Sequence, residues 1–277
     1  AITAQVVNVL YNVVDRMYIG HIPDIGALAL TGVGVCMPII MLISAFAALV
    51  SMGSAPRASV LMGSGDNEEA HYTLGNSFIM LIIIALILTV FFRRFAEPLL
   101  MAFGASENTI GYAMDYMRIY TLGTIFVQFA LGLNAFITAQ GFAKISMVTV
   151  VIGAIINIVL DPIFIFGFHM GVKGAALATI ISQAVSAIWV LRFLTGKKTI
   201  LKLQKKYFRL RGSVVGPCLL LGMSPFIMQA TESAISICFN SSLYRYGSDI
   251  AVGAMSILTS IMQFSMLPLQ GFTQGAQ

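Results

Sequence analysis

The strongest constraint on this chain is a run of charge-free segments long enough to cross a lipid bilayer. Ile25–Pro56, His71–Phe92, Ile119–Ala143, Gly174–Leu191, Gly212–Thr231 and Ile250–Gln277 contain no Asp, Glu, Lys or Arg. A span needs about 20 apolar residues. Ala1–Val14, Ile145–Val172 and Ser233–Tyr244 are also apolar, interrupted or bounded by acids. The segments are continuously apolar rather than alternating, which predicts helices and not a barrel, since only these two satisfy every backbone group in lipid. We read an all-α polytopic membrane protein with eight helices, at about 1–20, 28–52, 74–95, 112–140, 145–167, 173–194, 214–241 and 250–277. Only 10% of the residues are charged, against about 25% in soluble domains, so a soluble fold is excluded.

Within this apolar background three acids stand out: Asp15, Asp161 and Glu232. A carboxylate at mid-bilayer costs about 2.5–3.5 kcal/mol on insertion scales, and such residues mark ion or proton pathways. Asn157 and Asp161 are spaced i, i+4 and share a helix face. Pro162 follows and offers no N–H to the carbonyl of Ile158. A carboxylate, an amide oxygen and a freed carbonyl within one turn suit a hard cation or a proton. In helix 1, Gln5, Asn8, Asn12 and Asp15 form one polar stripe, and in helix 7 Gln229, Glu232, Ser236 and Asn240 form another. Helix–helix glue accounts for Gln, Asn and Ser in such stripes, but not for the acids. Two polar cavities are expected. Pro38, Pro217, Pro225 and Pro268 fall in or near helices, where kinks are expected to serve either curved packing or hinges.

Charge is unevenly placed. Arg192, Lys197, Lys198, Lys202, Lys205, Lys206, Arg209 and Arg211 fall in one acid-free stretch, leaving 8 basic and 11 acidic residues elsewhere. The stretch lies between two spans, so its expected partner is the anionic leaflet surface and not nucleic acid. The positive-inside rule puts it in the cytoplasm of a multi-pass protein of the plasma or inner membrane. Cys36, Cys218 and Cys238 show no metal spacing and read as small buried hydrophobes. No phosphate loop, nucleophile elbow or His/Cys cluster is visible, so neither an enzyme nor a cofactor is expected.

The chain also repeats itself. Asp24–Thr31 (DIGALALT) matches Asp249–Ser256 (DIAVGAMS) at an offset of 225, and Gln5, Asn8 and Asn12 match Gln229, Glu232 and Ser236 at 224. With six helices between the copies, the two have the same orientation, a parallel repeat about the membrane normal. This predicts a first lobe over 1–195, a basic connection over 196–212 and the first two helices of a second lobe over 213–277. The chain reads as a piece of a protein of about twelve helices, entering helix 1 after its start and ending within the second lobe.

Tyr11–Gly20 (YNVVDRMYIG), Asn157–Gly167 (NIVLDPIFIFG), Gly171–Thr179 (GVKGAALAT) and Pro268–Gln277 (PLQGFTQGAQ) resemble the multidrug and toxic compound extrusion (MATE) family. The resemblance implies two six-helix lobes in a V and export of cationic amphiphilic small molecules in exchange for H⁺ or Na⁺. It also implies a first-lobe proton or Na⁺ site at Asp15, Asn157, Asp161 and Thr179, with Glu232 as the helix 7 acid. Whether one lobe couples or both stays open at this point. A lipid-linked substrate flippase of the same superfamily is the alternative, which predicts a basic cavity. A non-transporting receptor or channel is the other, which predicts no repeat. No obligate protein partner is evident.

Overall fold

The computed structural model describes residues 2–259, 261 and 262, and their side chains except those of residues 2–5, 8 and 9. Gln5, Asn8 and the Pro268–Gln277 motif therefore lie outside what is described. Among the described residues ten α-helices follow one another: α1 (Ile2–Gly20), α2 (Gly26–Gly63), α3 (Asn67–Ala102), α4 (Ile110–Leu122), α5 (Thr124–Gly132), α6 (Asn134–Ala139), α7 (Ala143–Pro162), α8 (Val172–Leu194), α9 (Gly212–Tyr246) and α10 (Asp249–Thr259). No strand occurs among the described residues. The helices α2, α3, α7 with its following turn, α8 and α9 are each long and apolar enough to cross a membrane, and α4–α6 together make a sixth, bent span.

The helices extend past the apolar segments that announced them. The expected 28–52 becomes Gly26–Gly63, and the expected 74–95 becomes Asn67–Ala102. Water beyond the apolar limit satisfies polar side chains without ending a helix. The start of α3 is fixed locally instead: the Asp66 carboxylate accepts from the Glu69 N–H at 3.1 Å, with Glu68 and Glu69 in the first turn, where they favour the helix dipole. The expected continuous helix over 112–140 is instead bent by 60° between α4 and the α5–α6 pair. The break falls at Gly123, where a Cβ would collide with the Ile180 side chain of α8.

Burial runs opposite to that of a soluble bundle on the outer faces. Ile83, Leu86, Ile87 and Val90 make one exposed apolar face of α3, and Ile155, Val159 and Ile188 are exposed on α7 and α8. A helix whose exposed face is apolar is a helix solvated by lipid. Inside, one cluster gathers Ile39, Ile43, Phe92 and Met117, and a second gathers Leu74, Leu81, Phe136, Ile137 and Leu194.

The basic segment between α8 and α9 is strapped to α3 and to the end of α6 by two buried amides. Gln140 Oε1 accepts from the Thr199 hydroxyl at 2.7 Å and from the N–H groups of Ile200 and Leu201 at 2.8 Å each. Asn76 accepts from the Arg211 N–H at 2.7 Å and donates to the Arg209 carbonyl at 3.2 Å. The Arg211 guanidinium lies 3.3 Å from the Tyr72 ring centre. Lys197, Lys198, Lys205 and Lys206 remain exposed. Gln140→Leu should orphan two N–H donors at once, those of Ile200 and buried Leu201, while the Thr199 hydroxyl keeps the Leu201 carbonyl at 2.9 Å. A buried donor left unpaired costs about 1–3 kcal/mol. A lowered thermal midpoint of the purified protein is the expected result.

Candidate functional site

Helices α1, α4, α7 and α8 converge on one polar site. Asp161, in the last turn of α7, and Asn157, one turn before it, are fully buried. Asn157 Nδ2 donates to Asp161 Oδ1 at 3.3 Å and reaches Thr179 Oγ1 of α8 at 3.4 Å. The Thr179 hydroxyl donates in turn to the Ala175 carbonyl at 3.0 Å. From α1, buried Asp15 comes within hydrogen-bonding reach of Asp161. The structure thus brings Asp15, Asn157, Asp161 and Thr179 together.

Three buried acceptors in this group have no protein donor: Asp15 Oδ1, Asn157 Oδ1 and Asp161 Oδ2. A desolvated oxygen without a partner is costly. Two carboxylates close together add repulsion. Converging oxygen acceptors of this kind suit H⁺ or a hard monovalent cation such as Na⁺. The donors are two carboxylates, an amide and a hydroxyl, all hard oxygens without imidazole or thiolate, a set for H⁺ or Na⁺ and not for a soft transition metal.

The α7 end explains how Asp161 is presented. Past Pro162 the chain widens into a π-turn over Ile163–Gly167 before α8 begins. Such π-bulges often mark functional sites. Buried Ile165 in this turn packs into the same core as Val172, Ala175, Ala176 and Ile180 of α8.

Three tyrosines complete the site, and the sequence reading did not single them out. Tyr116 of α4 comes within reach of the Thr179 side chain. Tyr120 stacks on Tyr116 with centroids 5.8 Å apart, and both rings are buried. Tyr11 of α1 hydrogen-bonds Asn12 and feels the charge of both acids. The i, i+4 spacing of Tyr116 and Tyr120 on α4 was the available signal, but spacing alone does not say which helix they face.

The helix 7 residues lie elsewhere. On α9, buried Ser233 donates to the Pro38 carbonyl of α2 at 2.8 Å, and buried Asn240 shares that face. At 100° per residue Glu232 turns away from this contact, and it is exposed. Gln229 and Ser236 flank the contact and are half-buried. Ser236 lines a cavity of about 20 Å³ with Arg16, Met37, Asn240, Ser256 and Thr259. Glu232 is therefore not part of the Asp15–Asp161 group.

The family profile described as MatE matches residues 1–163, more than half of the chain and including Asp15, Asn157 and Asp161. The chain belongs to the MatE family. Among MatE relatives, the chain is 29% identical over 274 residues to the multidrug export protein MepA of Staphylococcus haemolyticus, covering 98% of this chain and 59% of that protein. It is 26% identical over 271 residues to MepA of Staphylococcus aureus strain MW2, covering 97% and 59%. Among solved structures, the MATE multidrug transporter DinF-BH superposes with a TM-score of 0.93 at 37% identity, over 99% of this chain and 61% of that one. An inward-facing MATE transporter of the MOP superfamily superposes with a TM-score of 0.89 at 26% identity, over 95% and 60%. The chain thus spans about three fifths of the length of these MatE relatives. It shares their all-α membrane fold.

Proposed function

We propose that the protein containing this chain is a secondary antiporter that exports cationic amphiphilic compounds in exchange for H⁺ or Na⁺. The observation that carries the reading is the buried Asp15–Asp161 pair, with one unpartnered oxygen on each acid and a third on Asn157. A pair of like charges in a water-poor site is relieved by one bound cation, whether a coupling ion or a cationic drug. Competition for the same charge is the simplest route to exchange. Antiport then requires only that ion and drug be favoured differently in the two orientations of the protein. One charge moving through about 100 mV supplies about 2.3 kcal/mol, enough at about 1.4 kcal/mol per decade for roughly a fortyfold drug gradient.

Asp15, Asn157, Asp161 and Thr179 are the proposed coupling site, with Tyr116 within reach of Thr179. Glu232 is the second-lobe candidate for coupling, with Asn12 on α1 and Gln229 and Ser236 on α9 as cavity-lining candidates. We place the protein in the plasma or inner membrane, its strapped basic segment on the cytoplasmic side against anionic lipid. The multidrug export function named for MepA supports the substrate class, and we propose no enzymatic role. The test is drug efflux from vesicles containing the full-length protein, with ΔpH and ΔNa⁺ imposed separately. One of the two gradients is expected to drive efflux. If neither does, and drug still equilibrates, the antiport reading fails.

A further inference from the structure

Next to Asp15 on α1 stands Arg16, and successive helical side chains diverge by about 100°. Asp15 turns into the first lobe toward Asp161. Arg16 turns the other way, to α10, where its Nη1 donates to the backbone carbonyl of Ser256 at 2.8 Å. The groups that act on Arg16 include the Asp15 carboxylate of its own helix and the polar Tyr116 hydroxyl of α4. The small cavity beside it adds only neutral polar groups, from Ser236, Asn240, Ser256 and Thr259. The approach of α10 depends on glycine. A Cβ on Gly34 would lie 2.7 Å from Ser256 Oγ, and one on Gly253 would lie 2.6 Å from Thr31 Oγ1. The Thr31 hydroxyl also reaches the Asp249 carbonyl at 3.4 Å. These contacts join α10 to the first lobe at the end of the molecule opposite the basic segment.

We propose that Arg16 is the positioning residue that carries the occupancy of the Asp15–Asp161 pair to the second lobe, latching α10 to α1 while the pair is empty. The inference rests on the antiport reading above. An ionised Asp15 stabilises the Arg16 cation inside the membrane. Binding of H⁺, Na⁺ or a cationic drug neutralises Asp15 and removes that stabilisation. Arg16 lies one turn from Gly20, the end of α1, so its long side chain then reaches water there and leaves the Ser256 carbonyl. The latch holds when the site is empty and opens when it is loaded, which prevents an empty transporter from reorienting.

The test uses the full-length protein with its native cysteines, the exposed Cys238 among them, replaced by Ser, and spin labels at His21→Cys and Ser248→Cys, two exposed positions at the latched end. Without ion or drug, the wild-type background should give a short, narrow distance distribution that lengthens when either is added. Arg16→Met should populate the long distance without ligand. In vesicles, its gradient-driven efflux should fall about tenfold or more while drug–drug exchange stays within about twofold. Arg16→Lys keeps the charge and should restore part of the ligand response, which a purely structural role would not predict. If Arg16→Met does not reach the membrane, Gly34→Ala pushes α10 away from the other side and should give the same long distance. A ligand-responsive, wild-type distribution in Arg16→Met, or in Gly34→Ala where that variant substitutes for it, overturns the latch. Failure of both gradients to drive wild-type efflux overturns the antiport reading instead, and leaves the distance comparison to decide the latch.

Discussion

Asp161→Asn is expected to leave the protein folded and in the membrane while abolishing ion-driven efflux. The substitution keeps the size and hydrogen-bonding shape of the side chain and removes its charge. Asn157 can still donate to the amide oxygen that replaces Asp161 Oδ1, now held at 3.3 Å, so the α7 and α8 packing survives. The unpartnered Oδ2 is replaced by an NH₂ group, which repels a cation and accepts nothing. Losing charge competition at the shared site should cost efflux two orders of magnitude or more, since removing about 2.7 kcal/mol of differential binding is a hundredfold. Asp15→Asn should behave alike, and Glu232→Gln should have the smaller effect on this site, because Glu232 lies on α9, apart from the pair. The measurement is initial efflux rate under an imposed gradient, normalised to protein in the membrane. Normal efflux from Asp161→Asn would exclude Asp161 as a coupling acid.

The second large effect is expected at the crossing of α2 and α9. A Cβ on Gly53 would collide with the Cys218 carbonyl oxygen, and a Cβ on Gly222 would collide with the Leu49 carbonyl oxygen. The clash is reciprocal and falls on backbone, so no rotamer change relieves it. Close backbone approach through glycine is a common source of helix affinity in lipid, where no hydrophobic force draws helices together. Gly53→Ala or Gly222→Ala should force the helices apart, at a cost of about 1–3 kcal/mol or more where backbone must shift. Melting of the purified protein should drop for either variant. By contrast Gly63→Ala, at a position with open space around it, should melt as the wild type does. Equal melting of all three would mean that the crossing does not depend on glycine.

Much of this protein was determined by local rules. Apolar runs of spanning length in a chain with 10% charged residues admit little but membrane helices, because lipid leaves backbone groups no other partner. The stacking of Asn157 on Asp161 was legible for the same reason: i, i+4 neighbours meet in any α-helix. Helix ends were less legible, as the eleven residues by which α2 outruns the expected 28–52 show, since apolarity marks the lipid boundary and not the end of hydrogen bonding. Only the tertiary structure decided which faces meet. No residue spacing could set Asp15 beside Asp161 across 146 positions, which the family resemblance implied and the folded chain brings about; the tertiary structure alone brought Tyr116 near Thr179 and turned Glu232 away while Ser233, one residue on, bonds to α2. Helical periodicity sets the angle between neighbouring side chains, but the rotation of each helix about its own axis is set by packing. In this chain, close contacts such as Gly53 against Cys218 and Gly34 against Ser256 are where that packing is tightest.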